Sequence, residues 1–448
     1  MVTNRSVGYE AGDLTGLRTS FRKVMRDRPI DDTVKGFPFG VKILFSEISQ
    51  MGWNLLRGDL PLPCAVLRAS ALRNNSTWMQ DFLRSRGAVI APHAKTTLSP
   101  QIIQLQLDDG AWGMTVSTVH QLRTCLRIGV RRLILANQMV AAAEQAALFA
   151  ALIEYPELDL YCLADSIAIV ETLEATGARV GAPRPLGVLL EVGYPGGRTG
   201  CRSRPEALEI ARAIHHNSHL HLAGIEAFEG LLMFSTYGEV ARNEDSVRVR
   251  NFLGTVVDVF GACKDAQLFD ITKPILTAGG SAFYDLVTDI FAPTGACVVT
   301  RSGCYVSHDS GLFEQLQARL MQRIESSEGV RSLEPALEIW AAVQSMPENG
   351  LAIISAGRRD VGADAGWPRP LRWAPAGSTI VTPLSADHRI TGLNDQHGYM
   401  VVPSNTPLQV GSRVALGISH PCTTFDKWQL IFVVDDSYNV VEPIETCF

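Results

Sequence analysis

Between Ala88 and Arg301 the chain repeats one rhythm eight times, a short unbroken apolar run followed by a longer stretch of helical periodicity. The runs fall at Ala88–Ala91, Trp112–Thr115, Arg132–Ala136, Asp159–Leu163, Leu186–Glu191, Leu222–Ala227, Pro274–Ala278 and Ala296–Thr300. Ser99–Leu107, Val119–Leu126, Ala141–Glu154, Pro205–His215 and Ser246–Cys263 supply helical periodicity between them. Apolar runs without alternation are what a parallel sheet covered on both faces requires. Eight units make a (β/α)8 barrel the economical fold, with a doubly wound sheet as the alternative.

After Ser310 the pattern changes. Ala352–Ser355, Ser378–Thr382, Tyr399–Val402, Arg413–Ala415 and Gln429–Val434 are alternating or β-branched, with Gly, Pro and Asp clusters between them. That texture, with the hairpin-like VVDDSYNVVEP, predicts a C-terminal antiparallel β domain. The expected division is an N-terminal segment over 1–60 packing on the β domain, a barrel over 61–320 reached through Ala65–Leu67, and the β domain over 321–448.

The chain has 448 residues and a net charge of −6. No Lys/Arg block stands out, and the basic stretch Arg127–Arg132 is short and broken by apolar residues, so neither nucleic acid nor an anionic membrane is an expected partner. The apolar stretch Leu133–Ile153 is interrupted by Asn137, Gln138, Glu144 and Gln145, too polar for a membrane span. The N-terminal MVTNRSVGYEAGD has neither the basic nor the apolar part of a signal peptide. The nine cysteines are scattered without a CxxC pair, which favours a reduced, cytoplasmic setting.

Three features could carry chemistry. Lys95, in PHAKTT, lies just beyond the first run, at the end of the barrel where active sites form. Burial at a strand end strips water from the ammonium and frees the amine for Schiff-base chemistry, although an exposed loop lysine has the same local sequence. Thr277–Ser281 (TAGGS) follows the seventh run, and its backbone donors at Gly279, Gly280 and Ser281 could cradle a phosphate or form an ordinary turn. The loop Tyr194–Gly200 (YPGGRTG) lacks dinucleotide spacing, and from it Arg198 could reach a cofactor atom.

The third feature is His420-Pro421-Cys422. In an extended chain, residues two apart point the same way, so imidazole and thiolate could share one metal, with Zn2+ favoured by their softness. A lone HxC triplet can equally be accidental. His397, in LNDQHGY, is a candidate acid or base or a structural histidine. Asn137, Asp165, Glu226, Ser302 and Tyr305 also lie near expected strand ends.

PHAKTT, QLDDGAWGMTVST, RLILANQMV, GGRTG, TAGGS, RSGCYVSHDSG, LNDQHG and HPCTTFDKW together resemble the D-serine dehydratase and D-threonine aldolase family. These are fold-type III pyridoxal-phosphate enzymes related to alanine racemase, and the likeness runs from about residue 60 to the end. It is strongest toward a bacterial branch described as amino-acid or D-serine deaminases. The resemblance implies an alanine racemase-type barrel with a β domain and Lys95 as the lysine that carries pyridoxal 5'-phosphate. It places the phosphate on the Gly279–Gly280 turn near Tyr305 and makes His420 and Cys422 the protein ligands of a divalent metal. In such families a cysteine at the second ligand goes with zinc and dehydration, an aspartate with manganese and aldol cleavage. The turn AGGSAFYD departs from the longer Gly/Thr run of many relatives.

The expected activity is dehydration of a β-hydroxy-D-amino acid such as D-serine, D-threonine or 3-hydroxy-D-aspartate, to a 2-oxo acid and ammonia. The alternatives are retro-aldol cleavage with His397 as base and, further off, a non-catalytic pyridoxal-phosphate carrier. The resemblance also implies a homodimer in which the β domain of one subunit faces the barrel mouth of the other.

Overall fold

A computed structural model describes residues 14–232, 243–324 and 332–448. The first thirteen residues of the N-terminal segment lie outside this range.

The eight apolar runs form eight parallel strands: Val89–Ile90, Met114–Val116, Arg132–Leu135, Asp159–Ala164, Leu186–Val192, Leu220–Ala227, Ile275–Ala278 and Cys297–Thr300. Each pairs with its sequence neighbour from the second to the eighth, and the eighth pairs back onto the first. A parallel bridge from His93 to Thr115, with the backbone bond from Trp112 N–H to Ile90 O, joins the first strand to the second. The barrel is thereby nearly closed.

Its interior is filled by Ala91, Ile134, Leu163, Leu189, Ala223, Ile275 and Val299, one from each of seven strand regions. Neighbouring residues of the same strands face outward into a larger core shared with the helices. A strand buried on both faces needs no alternation, which explains the unbroken runs. Ser99, Thr118, Ser166 and Ser203 each cap the helix that follows a strand, accepting a backbone N–H from its first turn. Pro100 and Pro205 stand in the first turn of theirs, where a missing N–H costs nothing. These caps fix the loops at the C-terminal end of the barrel.

The remaining strands form an antiparallel sheet centred on Leu337–Glu348, which pairs with Leu351–Ile354, Arg413–Gly417 and Cys64–Arg68. Leu430–Val434 and Val440–Glu445 make a hairpin, the one expected in VVDDSYNVVEP. The central strand escaped the sequence reading because Ile339–Val343 is apolar without alternation, as a strand buried on both sides is. Where Ser378–Thr382 was expected to be extended, a strand forms only at Thr382–Pro383, after the left-handed turn at Gly377.

Ala65–Leu67, expected to lead into the barrel, lies in Cys64–Arg68 and belongs to the β sheet, where it also runs parallel to Leu430–Val434. An isolated apolar run carries no mark of which sheet will take it. Ile30, Phe37, Phe45, Ile48, Trp53 and Leu55 pack with Cys64, Val66, Trp340 and Phe432 in a separate core on this sheet. No helix among the described residues is long and apolar enough to cross a membrane.

Candidate active site

The first barrel strand ends at Ile90, and the chain then makes a single tight helical turn, Ala94–Thr96, before the capped helix Pro100–Asp108. Lys95 is thus held between a strand end and a helix start. Ala94 and Thr96 beside it are buried, and the Lys95 side chain is exposed, in contrast to the burial expected from its position. With three residues per turn, successive side chains point about 120° apart, so Lys95 can face solvent while its neighbours face inward.

His93 stands two residues before the lysine in PHAKTT, and only the fold marks it as part of this surface. Its Nε2 lies 3.2 Å from Ser117 Oγ, while its Nδ1 is buried without a hydrogen-bond partner among the described residues. Burial, reinforced by the charges of Lys95, Arg301 and Arg198, holds the imidazole well below its usual pKa and keeps it neutral.

Further polar groups gather at the same strand ends. Arg301, just past the eighth strand, is buried, forms a salt bridge with Glu226 and donates to Thr277 Oγ1 at 2.8 Å. Burial pushes the Glu226 carboxyl up to about 8 against the pull of Arg301. Glu191 accepts from Thr199 Oγ1 at 2.5 Å and from Gln138. Arg198 stands 5.0 Å over the Phe228 ring. Asp165 accepts the Gly200 N–H, and Asn137 donates to the Ser117 carbonyl.

In the glycine turn, Gly279 has φ +124°, open to glycine and strained for other residues. The N–H of Gly280 donates to Glu229 Oε1 at 3.1 Å, and Ser302 Oγ donates to the Gly280 carbonyl at 3.0 Å. Ser281 is half-buried beside them. The donor expected to face a phosphate is therefore held by a buried carboxylate whose own pKa burial raises.

Tyr305 is not brought to this turn. Its phenol is buried beside Gln106, Asp109 and Ser76, because the short turn Cys304–Val306 directs it between two helices. His397 is exposed on the hairpin turn between Arg389–Leu393 and Gly398–Val401, on the β domain.

His420 and Cys422 do come together, by a route other than the one expected. Pro421 is helical (φ −65°, ψ −38°) and Cys422 opens the short helix Cys422–Phe425, so the triplet is a turn and not an extended segment. Cys422 Sγ lies 3.5 Å from Thr96 Oγ1, which sets the pair beside the Lys95 turn of the same chain. A third donor joins them: Cys304 Sγ is 3.6 Å from Cys422 Sγ, and the ligand atoms of Cys304, His420 and Cys422 all lie within 4.8 Å of one another.

His420 Nδ1 lies 2.5 Å from Asp364 Oδ2, and Asp364 Oδ1 accepts from Thr423 Oγ1 at 2.6 Å. With Nδ1 engaged, Nε2 is the ring nitrogen left for a ligand. The bond from Cys304, helped by His420 and opposed by burial, holds the Cys422 thiol well below its ordinary range, while Cys304 is raised. Burial lowers His420, but the bond and charge of Cys422 together with Asp364 outweigh it and raise it to about 9. A divalent ion would bind the sulfurs as thiolates and the imidazole as neutral, displacing protons from the cluster.

Both implied groups fit these residues. Tetrahedral zinc with sulfur at about 2.3 Å keeps two thiolates roughly 3.8 Å apart, close to the separation seen between Cys304 and Cys422. At the barrel mouth His93 Nδ1, Glu226 Oε2 and Glu229 Oε2 are buried polar atoms without partners among the described residues. With Lys95, Arg198 and Arg301 adding positive charge around His93, that suits a polar aromatic phosphate ester.

The family model "Alanine racemase, N-terminal domain" matches residues 67–242, and "Putative serine dehydratase domain" matches 336–434. Lys95 lies in the first stretch and His420 and Cys422 in the second. A D-threonine aldolase from Arthrobacter sp. is 25% identical over 402 residues, 88% of this chain and 94% of that one. D-threo-3-hydroxyaspartate dehydratase from Delftia sp. (strain HT23) is 24% identical over 385 residues, 82% and 92% of the two chains. A cysteine-to-alanine mutant of D-threo-3-hydroxyaspartate dehydratase, solved in a metal-free form, aligns with a TM-score of 0.68 at 21% identity, covering 88% of this chain and 99% of that one. A D-threonine aldolase structure from Filomicrobium marinum gives 0.72 at 20% identity, covering 88% and 97%. The barrel with its antiparallel domain, the lysine at the strand end and the two matching domain models place this chain in the fold-type III pyridoxal-phosphate family of alanine racemase-like and serine dehydratase-like enzymes.

Proposed function

We propose that this protein is a pyridoxal-phosphate- and metal-dependent lyase that dehydrates a β-hydroxy-D-amino acid to a 2-oxo acid and ammonia. The observation that carries this reading is the thiolate–imidazole cluster set against the Lys95 turn through Thr96. Pyridoxal phosphate, when bound, supplies an electron sink for the carbanion that forms at Cα. A divalent ion on the cluster supplies Lewis acidity toward a hydroxyl that must leave.

The chain's own groups have the following parts. Lys95 would hold the cofactor, and its amine is the group placed to accept the Cα proton. His93, kept neutral, neighbours this amine without adding charge. Arg198 and Arg301 attract anionic groups of cofactor and substrate. Gly279, Gly280 and Ser281 would offer backbone donors to the phosphate, beside the bond that the Gly280 N–H makes to Glu229. His420 and Cys422 hold the ion, with His420 oriented by Asp364.

Elimination is favoured over aldol cleavage by the cysteine at the second ligand position, Cys422, which goes with dehydration in the family that the sequence resembles. Cleavage needs a base near the β-oxygen, and the candidate, His397, stands on an exposed turn of the β domain. The named relatives include both a dehydratase and an aldolase, so the products decide between the two readings. The protein should be incubated with D-serine, D-threonine and threo-3-hydroxy-D-aspartate, with 2-oxo acid, ammonia and glycine assayed separately. A 2-oxo acid with equimolar ammonia, lost on chelation and restored by Zn2+, is expected. Glycine with an aldehyde product would replace this reading by aldol cleavage.

A further inference from the structure

Cys304 belongs to neither stretch matched by the family models, which end at residue 242 and resume at 336. It stands in the turn after the eighth barrel strand, four residues beyond Thr300. Its placement is determined closely. A Cβ on Gly303 would lie 2.3 Å from Thr96 Oγ1 and 2.8 Å from the His93 carbonyl, so only glycine lets this backbone press against the Lys95 turn. The N–H of His308 donates to the Cys304 carbonyl at 2.7 Å and closes the turn from the other side.

We propose that Cys304 is a third protein ligand of the metal, so that two thiolates and one imidazole bind a soft divalent ion, Zn2+ in preference to Mn2+. This rests on the lyase reading above for the presence of the ion, and adds a ligand from the barrel to the two from the β domain. The Sγ–Sγ separation of 3.6 Å is near the roughly 3.8 Å of two sulfurs on tetrahedral zinc and far from the ~2.05 Å of a disulfide. Among the described residues no other group of three His, Cys, Asp or Glu side chains meets the same distance criterion.

The chemical consequence follows from the donor set. Two thiolates balance the charge of a divalent ion, and sulfur discriminates against hard ions such as Mn2+ and Mg2+. Three protein ligands retain the ion more firmly than two and still keep one tetrahedral position open, as catalytic zinc sites do. The third ligand also ties the loop after the eighth strand to Cys422, so that one ion would join both domains.

The sulfur count can be read on the wild-type holoenzyme by zinc K-edge X-ray absorption. Two sulfurs at about 2.3 Å are expected, and a single sulfur would overturn the assignment. In parallel, Cys304→Ala and Cys422→Ala should be compared for zinc and manganese affinity, and for the thiolate-to-metal absorption of the Co2+-loaded protein. Loss of a second-shell partner typically weakens metal binding by 10–100-fold, so loss of a ligand in Cys304→Ala should weaken zinc by about 100-fold or more. The same variant should lose about half of the cobalt band. Unchanged zinc affinity and an undiminished band in Cys304→Ala, with both lost in Cys422→Ala, would overturn the role of Cys304 alone and leave the lyase reading standing. A wild-type protein that takes up neither zinc nor cobalt, yet carries pyridoxal phosphate on Lys95, would overturn the metal reading together with it.

Discussion

At the scale of single residues, His420 shows how a weak motif gains meaning from what surrounds it. An HxC triplet specifies little, but here one imidazole nitrogen meets Asp364 and the other remains for an ion. The carboxylate fixes both the tautomer and the ring plane, and Thr423 in turn fixes the carboxylate. Asp364→Asn keeps the shape and removes the charge, so zinc affinity measured by competition with a chromophoric chelator should fall by about 10–100-fold. Unchanged affinity would show that Asp364 does not orient the ligand. The position of Lys95 at a strand end was legible in the sequence because it directly follows the first apolar run. The proximity of Cys304 to the pair His420 and Cys422 was not, because a cysteine in a loop has no periodicity, and Cys422 is 118 residues away along the chain. The resemblance misplaced Tyr305 for a related reason, since a short turn can direct a side chain to either side of a barrel wall.

At the scale of elements, the turn from Gly303 to Asp309 sets Cys304 against Cys422 and contains a group sensitive to acid. His308 has φ +48° and is almost fully buried, and burial lowers its imidazole to about 4, against a backbone bond to Asp309 that favours the proton. A histidine lowered on folding is neutral in the native state, whereas the unfolded chain takes up a proton below about pH 6.5. Its share of stability is therefore complete above pH 6.5 and is lost as pH falls from there toward 4, to the extent of roughly 3 kcal/mol. Asparagine tolerates the left-handed backbone and has no proton to gain. Melting temperatures measured from pH 7 to pH 4 should fall less steeply for His308→Asn than for the wild type, and parallel curves would refute this source of acid sensitivity. The eight barrel strands were readable because burial on both faces leaves unbroken apolar runs. The segment His420–Cys422 was read as extended, but a proline in a helical conformation turns it, which side-chain spacing alone does not reveal.

At the scale of the whole molecule, barrel and β domain are interleaved. Cys64–Arg68 enters the C-terminal sheet before the chain begins the barrel, and the chain returns to that sheet at Leu337. This threading brings Cys422 to Thr96, so Lys95 and the cluster come together within one chain. If sites are completed in this way, verified heterodimers of Lys95→Ala and Cys422→Ala subunits should show no recovered activity, because each site then lacks one essential group. Recovery to an appreciable fraction of wild type would mean that lysine and metal ligands come from different subunits. Covalent trapping tests whether Lys95 is the residue that carries the cofactor. The protein should be loaded with pyridoxal phosphate, reduced with borohydride, digested and mapped by mass spectrometry. A single phosphopyridoxyl adduct on Lys95, absent from Lys95→Ala, is expected. A stoichiometric adduct on another lysine, or none at all, would contradict this assignment.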